Sequence, residues 1–484
     1  VPGAGKTSIV YGAFAYLNKN GIDKVKKIIM IGPKNSFKSW KDEFIKCFGD
    51  KKELKLLNIQ DKKYRRQNER ISALRFDSEN CNLILINYDL LPSLVDVLNE
   101  IINSETMLVF DEIHKIKAVG GVWSSAALDI CKNAKYKVAL TGTPIPNSYL
   151  DLYNQLNILF TDEYKTFFKF STSDLRKPND ILTMKINDLI YPFFCRTTKK
   201  QLNVPEPNPD EMVVSTMTNN EQMLFSYLRR KYSHNGLELY IRLLQASTNP
   251  KLLLKNIDLN SISELFTSEE EETDSNEYVN FENIKFDNSY NQEFTNLVNK
   301  FDMTSKFWEG IELVKKLVSE GKQLIVWGIF VDTINRIEEE LNNAGISAKI
   351  IYGATDLEER EKRIEEFKSK QFKVLITNPH TLAESVSLHD TCHDAVYFEY
   401  SFNLTHMLQS RDRINRLGLP ENQYTQYYYL VLKSINPDED SIDLKTYNRL
   451  EEKKNIMLKS IEGELVESIN FDIIDDIKAI LGKD

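Results

Sequence analysis

Short apolar runs recur along the chain, each followed by a longer stretch with helical spacing. They are "KKIIMIGP", "NLILINY", "TMLVFDE" and "KVALTGTP", and after a gap "QLIVWGIF", "AKIIYG", "KVLITNP" and "AVYFEY". Runs of β-branched and aromatic residues without polar alternation suit strands buried on both faces, and helices between them imply parallel crossovers. The intervening "VDTINRIEEELNNAG" places apolar residues at helical spacing and stops on glycine. The pattern predicts an α/β layout built twice.

Residues 161–257, with "NNEQMLFSYLRRKYSHNGLELYIRLLQAS", are expected to form a helical insertion between the two α/β regions. The expected division is 1–160 and 301–435 for those regions, 258–300 for an acidic flexible linker, and 436–484 for closing helices. A chain of 484 residues exceeds what one hydrophobic core usually organises.

Charge changes the picture only locally. The net charge is −9, yet eleven acidic residues and the single Lys285 between Asp258 and Glu293 give that stretch −10, leaving about +1 for the rest. Low hydrophobicity with high charge argues for a flexible insertion there, and the remainder is not too acidic to meet nucleic acid. The cysteines at 47, 81, 131, 195 and 392 have no metal-like spacing and read as reduced thiols of a cytoplasmic protein. No apolar run is long enough to span a bilayer, so no membrane partner is expected.

The chain opens "VPGAGKTSIV". A phosphate-binding loop places glycine, Lys and a Thr or Ser at a helix N-terminus, where backbone N–H groups face a polyphosphate. Gly3, Ala4, Gly5, Lys6, Thr7 and Ser8 supply the end of that pattern. Its first glycine would fall before Val1, so a longer parent protein carrying the preceding strand is expected, with the fragment itself a poor ATPase. In "LVFDEIHKIK" an apolar strand ends in Asp111-Glu112, two carboxylates at the carboxyl edge of a sheet, where ligands bind in such folds. The plain alternative is a charge pair at a helix start. "ALTGTPIPNS" sets Thr141 and Thr143 on either side of Gly142, which by itself is also an ordinary turn. "HMLQSRDRINRLG" spaces Gln409, Arg413 and Arg416 by four and three, so on a helix they share one face, either solvated or aimed at a phosphate.

GKT, DEIH, TGTP and QxxxRxxR in this order resemble the motif set of helicase superfamily two, and the details resemble its Swi/Snf-type double-stranded DNA translocases. "IGPKNSFKSWKDEF", "LILINYDLL", "DEIHKIK" with Lys117, "LTGTPIPNSYLDLYNQLNIL", "FFCRTTKKQL", "MTSKF", "IIYGATDLEEREKRIEEF" and "SIDLKTYNRLEEKK" are each similar to a family segment. In place of a glycine-rich fifth motif stands "PHTLAESVSLHD", where Ser385, Ser387 and Leu388 keep the approximate shape.

The resemblance implies two RecA-like P-loop lobes with ATP between them. Lys6 would contact the β- and γ-phosphates, Thr7 and Asp111 would hold Mg²⁺, and Glu112 would activate water. Arg413 and Arg416 would reach the γ-phosphate, and Gln409 would sense nucleotide. His114, Lys117, Thr141, Gly142 and Thr143 would couple the ATP site to a duplex. Lys34, Asn35, Tyr88, Thr355 and Asn378 would touch DNA phosphates, with weak sequence preference. The implied function is an ATP-driven duplex translocase or remodeller in a prokaryotic or viral setting, working with other subunits of a DNA-processing or defence system. The alternatives are a strand-separating helicase, an RNA-directed ATPase, or a non-catalytic DNA-binding scaffold.

Overall fold

A computed structural model describes residues 5–20, 24–142, 149–176, 178–193, 199–256, 286–287, 289–382, 386–437, 439, 441–462 and 473–482. The chain divides into two compact units, with the main boundary between Thr197 and Thr198.

In the first unit, five strands form one sheet: β1 (Lys27–Ile31), β2 (Leu56–Asn58), β3 (Leu83–Ile86), β4 (Thr106–Phe110) and β5 (Tyr136–Ala139). Their order is β2-β3-β1-β4-β5 and every pairing is parallel. The unbroken apolar runs have a direct cause. Along β1, Ile29 and Ile31 enter the core on one face with Ile84, Ile86, Leu108 and Phe110. Ile28 and Met30 enter the core on the other face with Leu83, Leu85, Met107 and Val109. A strand buried on both faces has no solvent side on which to place polar residues.

The second unit's sheet runs β6-β11-β10-β7-β9-β8, again parallel at each pairing. Its strands are β6 (Glu211–Thr216), β7 (Leu324–Trp327), β8 (Ala348–Ile351), β9 (Val374–Thr377), β10 (Asp394–Tyr397) and β11 (Gln426–Lys433). Its core gathers Leu324, Val326, Val374, Ile376, Val396 and Leu430 under the helices Ser305–Ser319 and Val331–Asn343.

All eight apolar runs form strands, and three further strands escape the pattern. β2 is only three residues long, and β11 precedes the closing helices. β6 lies inside 161–257, so that stretch is not helical throughout: "EMVVST" pairs with Tyr428–Lys433 instead. The expected linker is also corrected at its end. Residues Gln292–Asn299 form a helix capped by Asn291, with Phe294 and Val298 buried. Most of the acidic run, 257–285 and 288, lies outside the described residues. Among the described residues no helix is long and apolar enough to cross a membrane.

Candidate active site

The candidate residues of the first unit gather at the carboxyl ends of β1, β4 and β5. Gly5 adopts φ +73°, a left-handed conformation that glycine takes without cost, immediately before the helix Lys6–Asn20. Lys6 and Thr7 therefore lie in a helical first turn, where free N–H groups and the helix dipole favour an anion. Gly3 and Ala4 lie outside the described residues. Ser8 donates through Oγ to Glu43, which attaches this helix to its neighbour Ser36–Phe48.

Asp111 follows β4 and is buried on every side. Trp40 Nε1 donates to its Oδ2 at 2.8 Å, the Glu112 amide donates to its Oδ1 at 3.1 Å, and the Tyr88 hydroxyl donates to its carbonyl at 2.8 Å. Gly32, at the end of β1, leaves the necessary room: a Cβ there would sit 2.9 Å from the Asp111 Cβ. Burial, and then the neighbouring Glu112 charge, push the Asp111 carboxyl above the usual carboxylate range.

Glu112 holds φ 50° and ψ 52°, a left-handed conformation that costs a non-glycine residue about 1–3 kcal/mol. The turn is over-determined by its surroundings, because Ile113 N donates to Leu140 O at 3.0 Å and resumes the sheet ladder beyond it. The strained backbone sets the Glu112 carboxylate between an ammonium and an imidazole. Lys6 Nζ lies 3.4 Å from Oε1 and His114 Nδ1 lies 3.4 Å from Oε2. Burial pushes this carboxyl up, but Lys6, His114 and Lys115 outweigh burial and hold it down at about 2. His114 Nδ1 is also 2.9 Å from Thr141 Oγ1. Lys6, the neighbouring Glu112 and His114, and Thr141, drawn from three separate stretches of sequence, form one contact chain.

Other expected residues fare differently. Gly142 follows Thr141 beyond β5, and Thr143 lies outside the described residues. Lys117 is buried beside a clamp that sequence reasoning does not reveal: Asn154 Nδ2 donates to the carbonyls of Ile116, Lys117 and Ala118 at 2.9, 3.1 and 2.7 Å. Lys34 is exposed and pairs with Asp89 at 3.1 Å, and Asn35 occupies the N-cap position of the next helix.

Tyr88 and Asn378 require correction as phosphate contacts. Tyr88 is 1% exposed, stacked on Trp123 and bonded to Asp111, so it supports the site from within the core. Asn378 is 5% exposed and accepts from Thr381 N at 3.1 Å, turning the chain after β9. Thr355 is half-buried and its Oγ1 accepts from Tyr352 N.

In the second unit, the helix that carries Gln409 spans Leu404–Arg411 and ends there. Arg413 and Arg416 lie beyond it in a turn, so the three do not share a helix face. Arg413 folds back, with Nε donating to Gln409 O at 2.9 Å and Nη1 to Val386 O at 3.0 Å. Leu388 N returns a bond to Arg413 O at 3.0 Å, which ties "VSL" to the arginine turn, while Ser385 lies outside the described residues. Burial lowers the Arg416 guanidinium, against the opposing charges of Asp412 and Asp390.

Two parallel sheets covered by helices, one with a Gly-Lys-Thr helix start beside paired carboxylates, define a P-loop α/β protein of two RecA-like lobes. Residues 2–280 match the family model described as SNF2-related domain, and residues 309–418 match the helicase conserved C-terminal domain. The first match alone covers more than half of the chain, which belongs to the SNF2-related family.

Among curated relatives, the SWI/SNF-related matrix-associated actin-dependent regulator of chromatin subfamily A containing DEAD/H box 1 homolog of Drosophila melanogaster is 22% identical over 96% of this chain and 58% of its own length. An uncharacterised ATP-dependent helicase of Mycoplasma genitalium is 23% identical over 97% of this chain and 40% of its own. The chain thus spans about half the length of the relatives it matches. The solved Sulfolobus solfataricus SWI2/SNF2 ATPase core in complex with dsDNA is 17% identical over 99% of this chain and 91% of its own, at a TM-score of 0.37.

Proposed function

We propose that this chain is the ATP-driven motor of a duplex-DNA translocase or remodeller. The observation that carries the reading is the Lys6–Glu112–His114–Thr141 contact chain beside the buried Asp111. It brings an ammonium, a carboxylate and a polar path leading away from them to one sheet edge, which supports phosphate binding by the first and water orientation by the second. Family membership and the names of the relatives support the same reading.

In this reading the first turn of the helix Lys6–Asn20 binds the polyphosphate, and Lys6 exchanges the Glu112 carboxylate for phosphate oxygens. Glu112, relieved of that counter-charge, is left to orient the attacking water and accept its proton. Arg413 and Arg416 supply positive charge to the transferring phosphoryl group. For Arg413 this requires leaving the carbonyls of Gln409 and Val386.

Thr7 and Asp111 would hold Mg²⁺. The fit lies in the paired carboxylates: Asp111 is buried beside Glu112, and burial and that neighbouring charge hold its carboxyl above the usual range, which a divalent cation would offset. When bound, the ion would neutralise charge on the phosphates. Duplex DNA would be held chiefly at phosphates, with affinity falling steeply as salt rises.

The test is phosphate release with ATP and Mg²⁺ in the presence of no nucleic acid, duplex DNA, single-stranded DNA or RNA. We expect strong stimulation by duplex, and turnover lower by a factor on the order of 10³ in Arg413→Ala, with a comparable loss in Lys6→Ala. Stimulation only by single strands or RNA would favour a helicase or RNA-directed ATPase. No turnover from folded protein would leave a scaffold.

A further inference from the structure

Because the helix Leu404–Arg411 stops short of the two arginines, helix periodicity does not set their direction. The backbone that carries them is held from outside, by the segment 199–210 at the start of the second unit. Lys199 Nζ donates to Asn415 O at 2.7 Å and to Asn415 Oδ1 at 2.8 Å, and it forms an ion pair with Asp412. Asn415 replies through Nδ2 to Pro205 O at 2.9 Å. At the far end of the segment, Asp210 pairs with Arg411 at 2.6 Å and accepts from the Tyr447 hydroxyl at 2.8 Å.

Arg411 itself lies over the Tyr427 ring, 3.9 Å from its centroid. The segment is in turn anchored along the entry to β11, where Asn208 N donates to Thr425 O and Gln426 Nε2 to Pro209 O, both at 2.9 Å. Thus the two residues that precede Arg413, Arg411 and Asp412, and also Asn415 beside Arg416, are gripped by one strap.

We propose that residues 199–210 are a strap that fixes the turn 411–416, making Lys199 and Asp210 positioning residues for Arg413 and Arg416. The inference rests on the ATPase reading above. A displacement of about 1 Å in a group that meets a transition state can cost a hundredfold in rate, so a clamp on the backbone matters even though neither strap residue touches phosphate. The strap holds the turn still while the Arg413 side chain exchanges its carbonyl partners for substrate.

The test is duplex-stimulated ATP turnover by the full chain carrying Lys199→Met, Lys199→Arg or Asp210→Asn, alone and combined with Arg413→Ala, together with ADP binding. Lys199→Met removes a partly exposed partner from Asp412 and is the milder change, whereas Asp210→Asn strands the more deeply buried Arg411 charge; thermal melts of each variant separate loss of fold from loss of positioning. We expect Lys199→Met to lower kcat roughly tenfold with KM and ADP affinity within about twofold, and Lys199→Arg to recover most of the loss. In the Arg413→Ala background the same substitution costs clearly less, because only the positioning of Arg416 is left to lose.

An equal loss in both backgrounds, or an unchanged kcat, overturns the strap. If the unsubstituted protein hydrolyses nothing, or if Arg413→Ala is fully active, the ATPase reading fails by itself. Amide hydrogen exchange at 411–416 then decides for the strap: faster exchange in Lys199→Met supports it, and unchanged exchange rules it out.

Discussion

Glu399 shows how one side chain records its environment. It is 3% exposed after β10, and its Oε2 accepts from the amides of Ile329 and Phe330 at 2.8 and 3.0 Å, at the start of the helix Val331–Asn343. Two N–H donors favour the ionised form, yet burial outweighs them and holds the carboxyl above its usual range. A raised pKa means that the fold binds a proton more tightly than the unfolded chain does. The resulting stability is fully present below the ordinary carboxyl pKa of about 4.3 and is lost as pH rises through the raised value. Glu399→Gln, which keeps one acceptor and carries no charge, is therefore expected to raise the melting temperature near pH 8 and to change it little near pH 4.5. Thermal melts of both proteins across that range check this, and a gain at low pH alone would refute the assignment.

At the scale of elements, the closing helices show why a predicted helix is not yet a placed helix. The helices Ile442–Glu462 and Ile473–Leu481 both exist, but their attachment depends on two clusters of largely buried charge. Asp476, 1% exposed, receives Arg449 Nε and Lys453 Nζ, each at 2.8 Å. Further along, Asp443 receives Lys306 Nζ at 2.8 Å and the Leu432 amide at 2.9 Å, which binds the longer helix to β11 and to the helix Ser305–Ser319. Removing one partner of a buried pair leaves the other charge desolvated, at a cost of about 3–5 kcal/mol. Asp476→Asn is expected to destabilise the second unit by about that amount, and to loosen the last helix so that trypsin cleaves at the already exposed Lys478. Denaturation midpoints and the cleavage map would show it; an unaltered midpoint would mean that the apolar contacts alone hold the last helix.

For the whole molecule, two units with separate hydrophobic cores are not expected to melt as one two-state system. Calorimetry should show two transitions. Gly32→Ala, which drives a methyl group into Asp111, should lower only the first unit's transition, and Asp476→Asn only the other. A single transition shifted equally by both would show that the units unfold as one.

The sequence by itself determined most strands of both sheets and the order of the chemical groups along the chain. Strands such as β1, β3 and β4 are buried on both faces, and that burial is written directly as unbroken apolar runs. It also placed Lys6, Asp111 and Glu112 at element ends, because a P-loop helix start and a strand end have local signatures. Only the tertiary structure decided what those ends face. β6 was hidden because it joins its sheet beside β11, from a stretch otherwise dense in helices. Tyr88 and Asn378 look like surface groups in sequence and are consumed by Asp111 and by a turn. The arginine spacing suggested a helix face, but the helix ends at Arg411, and Lys199 and Asp210 secure the turn from some 200 positions away in the chain. Periodicity reports a residue's surroundings relative to its own element; contacts made over that distance depend on the path of the folded chain, which no local pattern encodes.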